Sequence, residues 1–128
     1  MTRQAMPSRR NNVTQRVKID GCRFYLTIGF TDKENTTIGE VFIVCQKSGA
    51  QERALFDEIA RSASKRLQLG ESLEELAESW LGTKMKPAGM VTGDEHVKMC
   101  LGPLDWAGRW LLINYCGRTD LSHTKGKP

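Results

Sequence analysis

At 128 residues the chain is long enough for one domain with a hydrophobic core and too short for two. Its composition, 39% hydrophobic and 27% charged, is ordinary for a globular protein, and no apolar run approaches the ~20 residues of a membrane-spanning helix. The N-terminus lacks the apolar core of a secretory signal. We therefore expect a soluble, cytoplasmic protein without a membrane partner, and the net charge of +4 favours anionic ligands.

The sequence of residues 1–46 predicts an N-terminal arm followed by strands. Residues 1–12 are polar and basic without periodicity, which predicts a flexible basic arm. Alternation over 13–30, interrupted by Asp20-Gly21, predicts a hairpin, because that dipeptide tolerates the positive φ angles of a two-residue turn. GEVFIVCQ (39–46) is apolar on both faces, which predicts a central strand covered on two sides by helices or a partner.

Two amphipathic helices follow. Apolar residues recur at helical spacing from Gln51 to Leu69, and ESLEELAESWLG (71–82) repeats the pattern behind Ser72 as N-cap. Residues 83–102 hold a proline and two internal glycines, which predicts mostly loop, and loops of this length are often functional.

Pro103 suits the first turn of a final helix that ends near Tyr115. Its apolar circumference exceeds what packing on one sheet requires, which indicates a subunit interface and a homo-oligomer. The alternative is a helix enclosed in the core of a monomer. The predicted fold is α+β: an antiparallel sheet (hairpin 13–30 plus strand 39–46) packed with two amphipathic helices and a C-terminal apolar helix. The single domain spans 13–117 and a polar tail spans 118–128.

Two places carry candidate anion-binding groups. Lys47, Ser48 and Gly49 put a cation, a hydroxyl and a flexible backbone at a helix N-terminus, where unpaired N–H groups favour negative charge. The alternative is an ordinary turn capped by Ser48. On the last helix, Asp105 and Arg109 are spaced as an i,i+4 ion pair, and the same pairing would orient the Arg109 guanidinium toward a phosphate.

The sequence contains little that indicates a metal site, a redox site or a catalytic site. The four cysteines, Cys22, Cys45, Cys100 and Cys116, form no C-x-x-C pair, so free thiols are expected, with no metal and no cofactor. With only two histidines the chain lacks an obvious nucleophile–base pair, and we expect no enzyme.

Four segments in order, GEVFIVCQKSGA, LQLGESLEEL, KMKPAGMVTG and LDWAGRWL, resemble the small TSCPD domain near the C-terminal end of adenosylcobalamin-dependent ribonucleotide reductases. MPSRRNNVTQRVKIDGCRFYLTIGF looks like its arginine-containing lead-in and first hairpin, so the resemblance covers about residues 6 to 116. The family's cysteine-rich tail is missing, because the chain ends RTDLSHTKGKP, and so is the reductase barrel. We therefore do not expect this chain to reduce a nucleotide.

A free-standing domain of this kind is also similar to phage proteins that sequester cyclic ADP-ribose signals of the Thoeris defence system, or related cyclic oligonucleotides. That resemblance implies a non-catalytic homo-oligomer that holds a small phosphorylated nucleotide between subunits, in the host cytoplasm if a phage encodes it. The binding residues expected are Arg109 for a phosphate, Lys84, Met85, Pro87, Gly89 and Thr92 as pocket wall, Lys47, Ser48 and Gly49 as a second anion cradle, and Arg23, Arg9 and Arg10 reaching across an interface.

Two other interpretations stay open. The first is a detached accessory or regulatory domain of an adenosylcobalamin-dependent ribonucleotide reductase, which would bind a protein partner. The second is a scaffold or nucleic-acid-binding module that uses the basic arm, although no recognisable nucleic-acid-binding motif is present.

Overall fold

The computed structural model describes Arg3, residues 5–46 and residues 49–124. Within these residues the chain forms five strands, three α-helices and a short 3-10 turn. In chain order they are β1 (Asn12–Ile19), β2 (Cys22–Phe30), β3 (Ile38–Cys45), α1 (Ala50–Gln68), α2 (Leu73–Trp80), β4 (Gly89–Thr92), β5 (Met99–Cys100), α3 (Pro103–Tyr115) and the turn Thr119–Leu121. The α+β class and the three predicted helices are confirmed.

The predicted hairpin is also confirmed. β1 and β2 are joined by Asp20 and Gly21, with φ angles of 50° and 83°. Both values lie in the left-handed region that a two-residue hairpin turn requires, and Asp-Gly is one of the dipeptides that reach it most easily.

The strands are ordered β3-β2-β1-β4-β5 in one sheet, and β4 pairs antiparallel with both of its neighbours. Thr92 lies opposite Lys18 on β1, and Gly89 lies opposite Cys100 on β5. The prediction that 83–102 is mostly loop is confirmed, because only the six residues of β4 and β5 in this segment are in strands, but the sequence did not indicate those two strands. These strands have four and two residues, too few for alternation to register, and their pairing with β1 and with each other provides the stability that their local sequence lacks.

By their internal contacts the residues divide into two compact units, each built from two chain segments. The first unit is Met1–Gln15 with Tyr25–Ser72, and the second is Arg16–Phe24 with Leu73–Pro128. The first unit contains β3 and α1, whereas the second contains α2, β4, β5 and α3.

In the first unit, β3 is an edge strand and not the central strand that its apolar sequence predicted. It is the last strand in the order of the sheet and packs against α1, and Val41 and Ile43, which share one face of the strand, are buried. On the opposite face Phe42 and Val44 are 40% and 46% exposed. Apolar residues on both faces thus did not mean burial on both faces.

Side chains of α1 close the free edge of β3. The Ser64 hydroxyl oxygen accepts a hydrogen bond from the Val41 N–H at 3.1 Å, and the Gln68 amide donates to the Gly39 carbonyl oxygen at 2.9 Å. Both polar side chains are buried. Because an open strand edge presents unpaired backbone groups that invite another chain to pair, this covering explains how an apolar strand can occupy the edge.

We expect Ser64→Ala to lower the free energy of unfolding by about 1–2 kcal/mol, because the Val41 N–H then lies buried without its acceptor. Ser62→Ala is the matched control, since Ser62 is exposed on the same helix and its hydroxyl donates only to the neighbouring, equally exposed Glu58 within the described part of the chain. Urea unfolding of the two variants and the parent checks the difference. Equal stability of both variants would contradict the role given to Ser64.

In the second unit, α3 packs against α2 and is enclosed on nearly all sides. Trp106, Leu111 and Leu112 have no exposed surface. Gly108 allows the close approach, because a Cβ at this position would lie 2.6 Å from the Ala77 carbonyl oxygen. The apolar circumference of α3 is therefore buried within the chain, which favours the core interpretation of this helix over the interface interpretation. Homo-oligomerisation stays a prediction without that support.

None of the helices in the described ranges is both long enough and apolar enough to cross a membrane.

Candidate functional site

Three of the predicted binding residues converge beside β5 in the second unit. The Met85 N–H donates to the Leu101 carbonyl oxygen at 3.1 Å, and the Met85 backbone lies so close to Gly102 that a Cβ there would be 2.7 Å from its carbonyl oxygen. Gly89 pairs with Cys100, and Arg109 Nε donates to Asp105 Oδ2, which also accepts from the N–H of Leu101, the residue after β5. Met85 and Gly89, from the segment that leads into β4, and Arg109, from α3, thus all lie beside β5.

The structure does not bring the other predicted residues to that cluster. Lys84 is exposed, and Pro87 follows a cis peptide bond in the bend before β4. Thr92 is at the far end of β4, opposite Lys18. Arg23 lies on β2. The residues predicted as a pocket wall therefore spread from the segment before β4 to the last residue of that strand.

Arg109 is held by a buried carboxylate. Asp105 has no exposed surface, and one of its oxygens, Oδ2, accepts from the Leu101 N–H at 2.9 Å and from Arg109 Nε at 3.4 Å. Its other oxygen, Oδ1, accepts from the Gly82 N–H at 2.8 Å. The predicted i,i+4 pair is confirmed, and Asp105 also ties the end of α2 and the residue after β5 to the first turn of α3. A sequence pattern identifies the ion pair but not these two backbone donors.

Asp94 plays a similar part in the turn before β5. Its Oδ1 accepts from the N–H groups of His96 and Val97 at 2.8 and 3.2 Å, and its Oδ2 accepts from the Trp106 indole N–H at 2.8 Å. Asp94 is 5% exposed. Both buried carboxylates of this unit therefore bind donors that shape the fold.

The anion cradle predicted at the start of α1 is only partly within the described residues. Lys47 and Ser48 lie outside them, and Gly49 belongs to the first unit. Gly49 is itself the N-cap of α1, so the alternative with Ser48 as N-cap is wrong. The Gly49 N–H donates to the Glu52 carboxylate at 3.3 Å, and this carboxylate places a negative charge at the helix start.

The four cysteines differ in burial, and none of them is in a disulfide in the part of the chain that the structure describes. Burial raises the pKa of the Cys100 thiol above its ordinary value, and Cys100 is 7% exposed, whereas Cys22 is exposed. Because the thiolate is the reactive form, we expect iodoacetamide to modify Cys22 well before Cys100 at a pH of about 8. Timed alkylation with peptide mass spectrometry checks the order, and equal rates at the two residues would contradict it.

A cavity of about 510 Å³ opens in the first unit, and we call it the arm cavity. It lies between the N-terminal segment and the start of the β2–β3 connection. Its lining residues are Pro7, Arg9, Arg10, Asn11, Phe30, Thr31, Asp32 and Lys33. The sequence pointed to Arg9 and Arg10 but not to Lys33 and Asp32, because nothing local in TDKENTT shows that this loop faces the arm.

The described arm residues are held against β3. Arg10 pairs with the Glu40 carboxylate through Nε at 2.5 Å and Nη2 at 3.1 Å, and Glu40 is 8% exposed. Met6 packs on Gly39, where a Cβ would come within 2.6 Å of its sulfur. Arg10, one of the three arginines expected to reach across an interface, thus pairs within its own chain. The flexibility of the arm as a whole stays a prediction.

These observations define an α+β domain. Its buried Asp105 carboxylate holds Gly82, Leu101 and Arg109 together, and we call this arrangement the Asp105 clamp. The TSCPD domain model matches residues 1–112, and the chain belongs to this family. This confirms the resemblance drawn from the sequence motifs.

The relatives are much longer proteins. The chain is 41% identical over 122 residues to a vitamin B12-dependent ribonucleotide reductase of Agrobacterium fabrum, 35% over 121 residues to that of Bradyrhizobium diazoefficiens and 27% over 120 residues to that of Rhodopirellula baltica. Each match covers 94% of this chain but only 9%, 10% and 11% of the relative. The chain thus spans about a tenth of the length of these curated relatives. No solved structure is significantly similar to it.

Proposed function

We propose that the chain is a non-catalytic accessory module that docks on a vitamin B12-dependent ribonucleotide reductase. One observation supports this above the others: 41% identity extends over 94% of the chain, yet it accounts for only 9% of the reductase. We infer that a segment of this size, covalently attached to a much larger protein, contacts the rest of that protein through part of its surface. A chain that keeps the segment nearly whole is expected to keep that surface.

The geometry of the second unit favours binding over catalysis. Asp94 and Asp105 are its buried carboxylates, and both accept hydrogen bonds from backbone N–H groups. A general base needs a lone pair directed at a substrate, whereas these oxygens accept hydrogen bonds from backbone N–H groups and from the Trp106 indole within the chain.

The docking surface that we propose is the exposed side of β4 and β5. Met90 and Met99 lie opposite each other on the two strands and are 67% and 63% exposed, and Leu101 beside them is 42% exposed. Methionine side chains are flexible and polarisable, which suits them to an apolar protein surface. Because the chain is 41% identical over 94% of its length to a segment of the reductase, we assign the rest of the reductase as the occupant of this patch, with a second copy of the chain as the alternative that light scattering tests.

The test uses the Agrobacterium fabrum reductase from which the matching segment has been deleted. We expect the purified chain to bind the shortened enzyme in calorimetric titration and to bind the intact enzyme at least tenfold more weakly, because the intact enzyme's own segment competes. Light scattering on the same samples gives the stoichiometry and the oligomeric state of the free chain. Absence of a complex with the shortened enzyme would refute the proposal.

The patch is tested by Met90→Lys with Met99→Lys. We expect the double variant to bind at least tenfold more weakly, because placing a charged side chain where an apolar one is buried on docking costs on the order of 1 kcal/mol or more per residue. Leu55→Lys is the control, since Leu55 is 59% exposed in the first unit. If both variants bind like the parent, the reductase docks elsewhere.

A second candidate function is capture of a small phosphorylated nucleotide, such as a cyclic ADP-ribose or a cyclic oligonucleotide immune signal. The observation that favours it is that Met85, Gly89 and Arg109 all lie beside β5, Arg109 through the Asp105 carboxylate that also binds the Leu101 N–H. Arg109 remains 25% exposed, so its side chain is accessible to a ligand.

Titration with cyclic ADP-ribose isomers and cyclic di- and trinucleotides tests this candidate. Capture predicts sub-micromolar binding, intact ligand on recovery, and at least tenfold weaker binding by Arg109→Ala. Arg53→Ala on α1 is the charge-matched control. If no ligand of the panel binds, capture is excluded and docking alone remains.

A further inference from the structure

The arm cavity has the size and the lining of a small-molecule site. Its volume of about 510 Å³ falls within the roughly 300–1,000 Å³ typical of ligand pockets. Pro7, which is half-buried, and the small accessible part of Phe30, which is 3% exposed, provide apolar surface. Three cationic side chains and one carboxylate complete the wall. The charges that a ligand can use are those without a strong partner in the chain itself.

Two of the four charged side chains in the wall, Arg10 and Asp32, already bind partners within the chain. Arg10 donates to both oxygens of Glu40 and, through Nη1, to the Pro7 carbonyl oxygen at 2.5 Å. Asp32 accepts from the Thr36 and Thr37 N–H groups at 3.0 and 3.1 Å, and the Thr36 hydroxyl also donates to it. These bonds direct the Asp32 carboxylate toward its own turn.

The two remaining charges are positive. Arg9 and Lys33 are both exposed, and neither has an ion-pair or hydrogen-bond partner within Arg3, residues 5–46 and residues 49–124. They belong to separate segments, the arm and the β2–β3 connection, that both line this cavity. A multivalent anion would neutralise both and would satisfy guanidinium and ammonium donors together.

We propose that the arm cavity binds a phosphorylated small molecule, with its phosphates between Arg9 and Lys33 and its apolar part against Pro7 and Phe30. A nucleoside diphosphate has this combination of charge and apolar ring, and a free polyphosphate has the charge alone. The site goes beyond reductase docking. It shares no residue with the Met90–Met99 patch or with Arg109, so it stands or fails independently of both proposed functions.

The experiment is calorimetric titration of the full chain with ADP and with tripolyphosphate at ~50 mM salt, where screening is modest. We expect ADP to bind and Arg9→Ala with Lys33→Ala to lose roughly tenfold in affinity per cation removed, because each charge-assisted hydrogen bond contributes about that factor. Both residues are exposed, so the thermal midpoint of the double variant should equal that of the parent.

Lys18→Ala with Arg53→Ala removes the same charge from exposed positions outside the cavity and is the control. Retained ADP binding in this control, with loss in the cavity variant, supports the proposal. Binding of tripolyphosphate alone, lost in the same variant, keeps the site and assigns it to the phosphate chain. If neither probe binds the parent chain, or if both double variants lose affinity equally, the arm cavity is not a phosphate site.

Discussion

Asp105→Ala is expected to lower the free energy of unfolding by about 3–5 kcal/mol, the range seen when one partner of a buried charged pair is removed. Asp105 has no exposed surface and accepts from the Gly82 N–H, the Leu101 N–H and Arg109 Nε. The alanine variant leaves two backbone donors without acceptors and leaves Arg109 without its counter-charge. Urea denaturation followed by circular dichroism measures the loss.

Asp105→Asn separates the contributions to this effect. The asparagine keeps one carbonyl oxygen for a backbone N–H but no charge for Arg109, so its loss of stability should lie between those of the parent and the alanine variant. Asp57→Ala, at an exposed position on α1, should stay within about 0.5 kcal/mol of the parent. A loss below about 1 kcal/mol for Asp105→Ala would show that the clamp is not needed.

Trp106→Ala is expected to have an effect of similar size, about 3–5 kcal/mol. The Trp106 side chain has no exposed surface, and its indole N–H donates to Asp94 at 2.8 Å. Alanine leaves a large cavity in the second unit and removes the donor that satisfies Asp94 Oδ2. The same denaturation experiment applies, with thermal unfolding as an independent readout.

Two further variants divide packing from hydrogen bonding at this position. Trp106→Phe keeps most of the ring volume but loses the indole N–H, so we expect a loss of about 1–3 kcal/mol. Tyr115→Ala on the same helix is the control for aromatic truncation, because Tyr115 is 39% exposed and contacts the Trp110 ring at a centroid distance of 5.6 Å. If Trp106→Ala were no more harmful than Tyr115→Ala, the core assignment of α3 would fail.

Local chemistry made the hairpin and the three helices predictable. Asp20 and Gly21 adopt the positive φ angles that their residue types favour, and the helical spacing of apolar residues indicated α1, α2 and α3 to within a few residues. These features depend on residues near one another in the chain, which is the information that a sequence pattern contains.

Features that depend on distant partners were not predictable in the same way. The apolar strand β3 can occupy the edge of the sheet because Ser64 and Gln68 cover its backbone. Ser64 is 23 residues from its partner Val41, and Gln68 is 29 residues from its partner Gly39. β4 and β5 exist through pairing, not through their own periodicity. The apolar α3 looked like an interface because its sequence does not show that α2 packs closely enough to enclose it.

The candidate sites likewise divide into features set by neighbouring residues, which were predictable, and features set by distant partners, which were not. The Asp105–Arg109 pair was predictable because the two residues are an i,i+4 pair on one helix. The convergence of Met85 and Gly89 beside that pair needed the pairing of β4 with β5. The arm cavity needed the docking of the arm on β3 through Arg10 and Glu40, which are 30 residues apart.

The most direct test of the proposed docking role is displacement. The segment of the Agrobacterium fabrum reductase that matches this chain is expressed separately, labelled with a fluorophore and bound to the shortened reductase, and the unlabelled chain is then added while fluorescence anisotropy is recorded. If the chain is a docking module of this family, it displaces the labelled segment completely and with a single transition. A labelled segment that stays bound at saturating concentrations of the chain would contradict the docking role.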